Sequence, residues 1–297
     1  MKDYALWTEG LRKQFGKTRA VDGIDLQVPH GSIYAFLGPN GAGKTTTIKM
    51  LLGLLRPDGG KFGLLDHEGP PDPRTLARIG YVPEIPGLYG FMTTRELVDF
   101  CRRLHPAWDH DLVDRYLDLF GLPRDRKVGG FSRGMKSQLA LVLALAHRPE
   151  LLILDEPTTG LDPLARKNFL QTVLAEVAQA GQTVLLSTHL LEDAQRVADT
   201  VGIIKSGRLV LQKSMDEIKA GEKKVRVVFQ HQPPPWLQEI PGVRGLEQEG
   251  SAVVLTVTGD ISVVLERVRT VPLFALEVID LSLEQVFHEY ATAPGRS

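Results

Sequence analysis

A single cysteine, Cys101, in 297 residues rules out any disulfide within the chain. That fits a reducing compartment, and the thiol is expected to serve as a small buried hydrophobe rather than a reactive group. An excess of one charge is missing as well: 35 Lys and Arg stand against 36 Asp and Glu, for a net charge of −1. Such a balance provides no electrostatic grip on nucleic acid or an anionic membrane, so no nucleic-acid partner is expected. Long apolar runs are absent too. The longest, Leu139 to Ala146, spans eight residues, far short of the ~20 that a membrane-crossing helix needs. The opening stretch MKDYALWTEGLRKQF carries charge throughout and holds no apolar core followed by a small-residue cleavage site. Secretion is therefore not expected, and the chain should remain cytoplasmic. Internal repeats and low-complexity tracts are lacking, and Pro233-Pro234-Pro235 reads as a rigid loop.

What remains is an ordinary globular composition, 43% apolar and 24% charged, in a chain longer than one average domain. Short strands are expected at Tyr4–Leu11, at Ile24–Val28 after an Asp22-Gly23 turn, and at Ile33–Leu37. The last runs into a glycine-rich loop. Thr45–Leu55 then reads as a helix stopped by Arg56-Pro57-Asp58-Gly59-Gly60. Helical patterns at Thr94–Leu104, Asp111–Phe120 and Ser132–His147 suggest an insert over about residues 88–148. Beyond it, strands at Leu151–Leu154 and Thr183–Ser187 alternate with helices at Pro163–Ala180 and Leu190–Ala198, which implies a parallel sheet covered by helices. A lysine-rich stretch at 219–224 marks a boundary between a first domain, 1–221, and a small α+β domain, 222–297. In the latter, strands are expected at Val225–Phe229, Ala252–Thr258 and Phe274–Ile279, and helices at Val263–Val268 and Leu283–Tyr290.

Chemistry enters at Gly38-Pro39-Asn40-Gly41-Ala42-Gly43-Lys44-Thr45, a glycine, four residues, then Gly-Lys-Thr. The glycines permit a tight turn whose N–H groups converge on phosphate oxygens, and the helix that follows, with Thr46 in its first turn, aims its positive end at the same anion. Lys44 is placed to reach the β- and γ-phosphates of a nucleotide and Thr45 to ligate Mg²⁺. The run Leu151-Leu152-Ile153-Leu154-Asp155-Glu156 is a buried strand delivering two acids to a sheet edge. An Asp-Glu pair at a strand end can equally cap the next turn; beside a phosphate loop, catalysis is favoured. Asp155 is then a Mg²⁺ ligand, direct or through water, and Glu156 the base that polarises the attacking water. No Asn-Lys-x-Asp motif for guanine is present.

Phe131-Ser132-Arg133-Gly134-Met135, ahead of Leu151–Glu156 and of Gly160-Leu161-Asp162, followed by Leu186-Ser187-Thr188-His189, resembles the ABC ATPase family in both content and order. The resemblance covers residues 1 to about 215 and implies a P-loop α/β core with an antiparallel strand set. It also implies ATPase activity, ATP and Mg²⁺ as ligands, and a head-to-tail dimer, with itself or a paralogue, that sandwiches two ATP molecules. The partner it implies is an integral membrane permease, which would hold the chain on the inner face of the membrane. In that family the Ser132-x-Gly134 segment starts a helix and binds the γ-phosphate held by the opposite subunit, as a helix start can. Phe15 resembles the aromatic that stacks on adenine, Asp162 the residue linking the two sites, and His189 the switch contacting the γ-phosphate. Alone, Phe15 would read as core packing, His189 as a structural histidine, and Asp162-Pro163 as a helix cap.

Three departures stand out. The family's glutamine after Ile79-Gly80-Tyr81-Val82-Pro83 is Glu84 here, either a ligand to Mg²⁺ or water or a solvated acid. Arg133 replaces a glycine and Met135 a glutamine; Arg133 either strengthens the anion site or lies outward as a surface charge. The aromatic and Met cluster in Pro86–Met92 belongs either to the insert core or, through Tyr89 and Phe91, to a groove for a membrane-subunit helix. The C-terminal composition, Trp108-Asp109 and Gly134-Met135-Lys136 resemble ATPases of bacterial drug- and antibiotic-export systems with separate membrane subunits. A non-transport ABC ATPase acting on ribosomes or DNA is the alternative, although those usually carry two cores or a long coiled coil.

Overall fold

The structure is a computed structural model that describes residues 4–105, 107–220 and 223–280, with 283, 284 and 287 beyond them. It divides into two compact units, Met1–Gln212 and Lys213–Ser297. The division falls ahead of the lysine-rich stretch, whose Lys223 and Lys224 already belong to a strand.

In the first unit, β1 (Tyr4–Phe15), β2 (Thr18–Ile24), β3 (Gln27–Pro29), β5 (Gly59–Leu64) and β6 (His67–Glu68) form an antiparallel sheet. The sharp turn expected at Asp22-Gly23 is elsewhere. Gly16-Lys17 makes the reversal, and Gly23, at φ +78°, sits in a register shift between the Leu11↔Ile24 and Arg12↔Asp22 pairs. It is a bulge glycine, for which the left-handed region costs nothing. The expected Ile24–Val28 strand is thus split between the end of β2 and β3.

The second sheet runs β11-β10-β4-β9-β8-β7, with β4 (Ile33–Leu37), β7 (Ile79–Val82), β8 (Leu151–Asp155), β9 (Thr183–Thr188), β10 (Thr200–Lys205) and β11 (Arg208–Ser214). From β10 through β7 the pairing is parallel. Every residue of β4, β8 and β9 is buried, as central strands of a sheet covered on both faces must be. β10 and β11 were not anticipated. Helix α1 (Lys44–Leu51) ends four residues before the expected Leu55, because Gly53 takes φ +70° and Leu54 and Leu55 both donate back to the Lys49 carbonyl.

After α2 (Pro73–Leu76), the insert holds α3 (Thr94–Arg102), α4 (His110–Leu119) and α5 (Arg133–Leu145), close to expectation. Thr93 and Glu96 close a reciprocal capping box at the start of α3. Leu97, Val113, Tyr116, Leu117, Leu139 and Val142 pack with Leu152, Leu154 and Leu186 of the sheet into one core. Cys101 only packs against its margin, half-buried rather than enclosed. The helix expected over Pro163–Ala180 is present as α6 (Pro163–Asn168), a π-helical turn at Phe169–Leu174, and α7 (Ala175–Gln179). It precedes β9, which leads to α8 (Leu191–Val197).

The second unit begins with α9 (Met215–Ala220) and carries an antiparallel sheet, β13-β14-β12-β15, made of β12 (Lys223–Phe229), β13 (Val243–Glu249), β14 (Ala252–Val257) and β15 (Leu273–Asp280). Val264 and Val268 of α10 (Ile261–Val268), with Leu237 from a 3₁₀ turn at Pro235–Glu239, pack on Val225, Val227, Val253 and Leu255 as a separate core. The helix expected at Leu283–Tyr290 lies outside the described residues except for Leu283, Glu284 and Phe287. Among the described residues no helix is long and apolar enough to cross a membrane.

Candidate functional site

Strands β4, β8 and β9 are adjacent and parallel, so the loops leaving their carboxyl ends share one edge of the sheet. Open α/β sheets place ligands at that edge. The loop after β4 is the phosphate-type loop. Gly43 holds φ +114°, and a Cβ there would collide with the Ala20 carbonyl, so only glycine lets the loop pass under β2 into α1. Gly38 is equally closed in, against Ile204. Pro39, Asn40 and Gly41 form the exposed lip; Ala42 and Gly43 are buried behind it, and Thr45 and Thr46 are part-buried in the first turn of α1. Lys44 is only 5% exposed, its ammonium donating 2.6 Å to the Gly38 carbonyl.

The acids arrive from β8. Asp155 is fully buried; its Oδ1 accepts a 2.6 Å bond from Ser187 of β9, and its Oδ2 has no partner. Burial is the main influence pushing the Asp155 carboxyl above its ordinary range. The Ser187 and Thr45 hydroxyls pull the other way, and the charges of Glu156 and Glu84 push it further up. A buried carboxylate oxygen left free next to a threonine hydroxyl suits a hard divalent cation such as Mg²⁺, which takes few protein oxygens. Among the described residues no cluster of three or more His, Cys, Asp or Glu could hold a metal by itself.

Glu156 is the junction of the site. Its φ is +49°, a strained conformation for a residue with a long side chain. One carboxylate oxygen lies 3.1 Å from Lys44 Nζ and the other 2.8 Å from His189 Nδ1, at the end of β9. The candidates for base, phosphate-binding lysine and switch histidine are thereby joined within one chain.

The Ser132–Gly134 segment forms a second group. Ser132 caps α5, accepting from Met135 N at 3.2 Å. Gly134 is buried, and a Cβ on it would stand 3.0 Å from the Gly160 carbonyl. Packing within the chain thus already requires a small residue there. Arg133 is an exposed charge with a partner: its side chain is 46% exposed, and its Nη2 sits 3.3 Å from Glu84 Oε1. Asp162 Oδ1 accepts from Ala165 N at 2.9 Å, the capping geometry. Phe15 is half exposed at the end of β1, with the Lys13 ammonium 5.6 Å from its ring centre. Tyr89 and Phe91 are exposed rather than part of the insert core, their ring centres 5.8 Å apart, with Phe100 set edge-on to Tyr89.

Two sets of contacts escaped the sequence. Ser187 lies inside a recognised motif, but only the pairing of β8 with β9 reveals it as the partner of Asp155. Thr158 and Arg166 both bind the buried Asp193, tying the loop after Glu156 to α8; the spacing of those residues carries no signal.

The chain is similar to known proteins in sequence and fold. The ABC transporter family model covers residues 21–159. The bacitracin transport ATP-binding protein BcrA of Bacillus licheniformis is 39% identical over 73% of this chain and 72% of its own. The daunorubicin/doxorubicin resistance ATP-binding protein DrrA of Streptomyces peucetius is 40% identical over 73% and 67%. A solved structure of an ATP-binding subunit of an ABC transporter aligns with a TM-score of 0.66 at 31% identity, covering 72% of this chain and 92% of that one. With identities of this order over two thirds or more of each protein's length, the kinship is one of family: the chain belongs to the ABC transporters, as an ATP-binding, ATP-hydrolysing subunit.

Proposed function

We propose that the chain powers export of a drug or peptide antibiotic through a separate integral membrane subunit, by closing two copies of itself, or itself and a paralogue, around two MgATP molecules. The observation that carries the reading is Glu156, held at φ +49° between Lys44 and His189 at one sheet edge. The names of the relatives, which concern bacitracin transport and daunorubicin/doxorubicin resistance, support export.

On this reading the loop from Gly38 to Thr46 wraps the phosphates with its N–H groups, and Lys44 exchanges its Gly38 carbonyl and Glu156 contacts for phosphate oxygens. Phe15 offers a half-exposed ring to the adenine. Thr45 and Asp155 would hold Mg²⁺, which would neutralise phosphate charge; Glu84 leaves the sheet beside them but is engaged by Arg133 rather than by the ion. Glu156, once released by Lys44, accepts the proton of the attacking water. His189 keeps that carboxylate aimed and meets the γ-phosphate. Ser132 and Gly134 belong to the other half of the sandwich; among the described residues, no hydrogen bond or ion pair joins them to Lys44, Glu156 or His189 of their own chain. Asp162 links the two halves. Tyr89 and Phe91 meet a short helix of the membrane subunit, which holds the complex on the cytoplasmic face.

Glu156→Gln keeps the shape and loses the base, so turnover should fall about 10²–10⁴-fold while MgATP binding persists. Size-exclusion chromatography with light scattering on this variant should show a monomer alone and a dimer with MgATP. Hydrolysis at the parental rate would remove Glu156 from the base role. A chain that stays monomeric with ATP bound would point to an obligatory paralogue or membrane subunit.

A further inference from the structure

Two of the departures from the family pattern, Glu84 and Arg133, meet in space. They stand 49 residues apart in the chain. Nη2 of Arg133 lies 3.3 Å from Glu84 Oε1 and 3.5 Å from the Glu84 carbonyl oxygen, so one guanidinium grips both the side chain and the backbone of the segment after β7. The stem of the same arginine lies over Gly160: a Cβ at that glycine would stand 3.3–3.6 Å from Arg133 Cδ, Cγ and Cβ. Arg133 therefore joins the start of α5, the segment after β7, and the loop that follows Glu156.

Glu84 in turn follows the carboxyl end of β7, which pairs in parallel with β8 so that Val82 stands opposite Leu154, and it therefore leaves the same edge of the sheet as Asp155 and Glu156. Asp155, Glu156 and Glu84 place three carboxylates around that edge, against the cations Lys44 and Arg133. Without Arg133, the Glu84 charge would face an incoming polyphosphate uncompensated.

We propose that Arg133 is a positioning residue for Glu84: it neutralises that carboxylate and braces it against α5 and the Gly160 loop, so that the two act on nucleotide binding as one unit. The inference rests on reading the edge as the MgATP site. It accounts for an acid at position 84 by a base at position 133, each incomplete without the other. The pair is 46% and 45% exposed, so its effect is modest and sensitive to salt.

The test is a four-member set of the full-length chain: parent, Arg133→Gln, Glu84→Gln and the double variant, each assayed for MgATP KM, kcat and thermal midpoint. Arg133→Gln should raise KM about three- to tenfold with kcat within about twofold, and the rise should shrink at high salt, as expected for a half-exposed pair. Adding Glu84→Gln should bring KM back to within about twofold of the parent, because the charge that Arg133 masked is gone. A fold defect would not be rescued this way, and Arg133→Lys, which retains the charge without the fork, should recover only part of the loss. No recovery in the double variant, or an Arg133→Gln chain with parental KM, overturns the proposal; the first result would mean that Arg133 acts on phosphate directly. A parent unable to bind MgATP overturns the site reading and this inference together, whereas a competent parent with additive variants overturns only the pairing.

Discussion

Asp155 is a buried carboxylate with one oxygen partnered and the other without a hydrogen bond, and its pKa is raised chiefly by burial. A folded-state pKa above the ordinary 3.8 means that the folded chain holds its proton more tightly than the unfolded one. Stability is then lost as pH rises from about that value through the folded pKa, and at neutral pH the charge is a burden until a cation compensates it. Asp155→Asn should therefore raise the melting temperature of the nucleotide-free chain and abolish the further rise given by Mg²⁺ with ATP. A variant less stable than the parent without ligand would show that the charge is already compensated. The sequence pointed to Lys44, Thr45, Asp155 and Glu156 because each belongs to a short motif whose chemistry is local, and to His189 only through the family resemblance, since alone it reads as a structural histidine. It was silent on the Ser187–Asp155 bond and on Glu84–Arg133, because those contacts are made by folding and not by spacing.

Among the elements, the central strands β4, β8 and β9 and the amphipathic helices of the insert could be read from hydrophobic pattern, β10 and β11 could not, and two further errors lie where a glycine has two meanings. Asp22-Gly23 has the composition of a hairpin turn, yet the positive φ of Gly23 is spent on a bulge and the reversal is made by Gly16-Lys17. Gly53 was passed over inside a helical pattern and is in fact its end. β13 escaped notice as an edge strand with Arg244, Glu247 and Glu249 exposed, where alternation is blurred. The start of α3 was placed correctly, and its capping box makes a clean test. Thr93→Ala removes the acceptor for Glu96 N and should cost about 1 kcal/mol, or roughly 2–4 °C in the melting of a unit this size. A calorimetric shift indistinguishable from zero would mean that α3 is held by packing alone.

The whole molecule is two units with separate cores, one gathered around the parallel sheet and one around β12 and β14. Differential scanning calorimetry should therefore resolve two transitions, one raised by MgATP in proportion to its binding. Leu255→Ala, in the second core, should lower the other by an amount equivalent to about 2–5 kcal/mol and leave the MgATP response intact. A single transition moved by both would contradict this division. One more property follows from Cys101. It is the only thiol of the chain, half-buried where α3 meets the core of the insert, and burial raises its pKa. A thiol that is only half covered can be reached from the surface, so the labelling rate of the unaltered chain measures how closely α3 packs on that core, and its change with nucleotide reports the rigidity of that one region without any introduced probe.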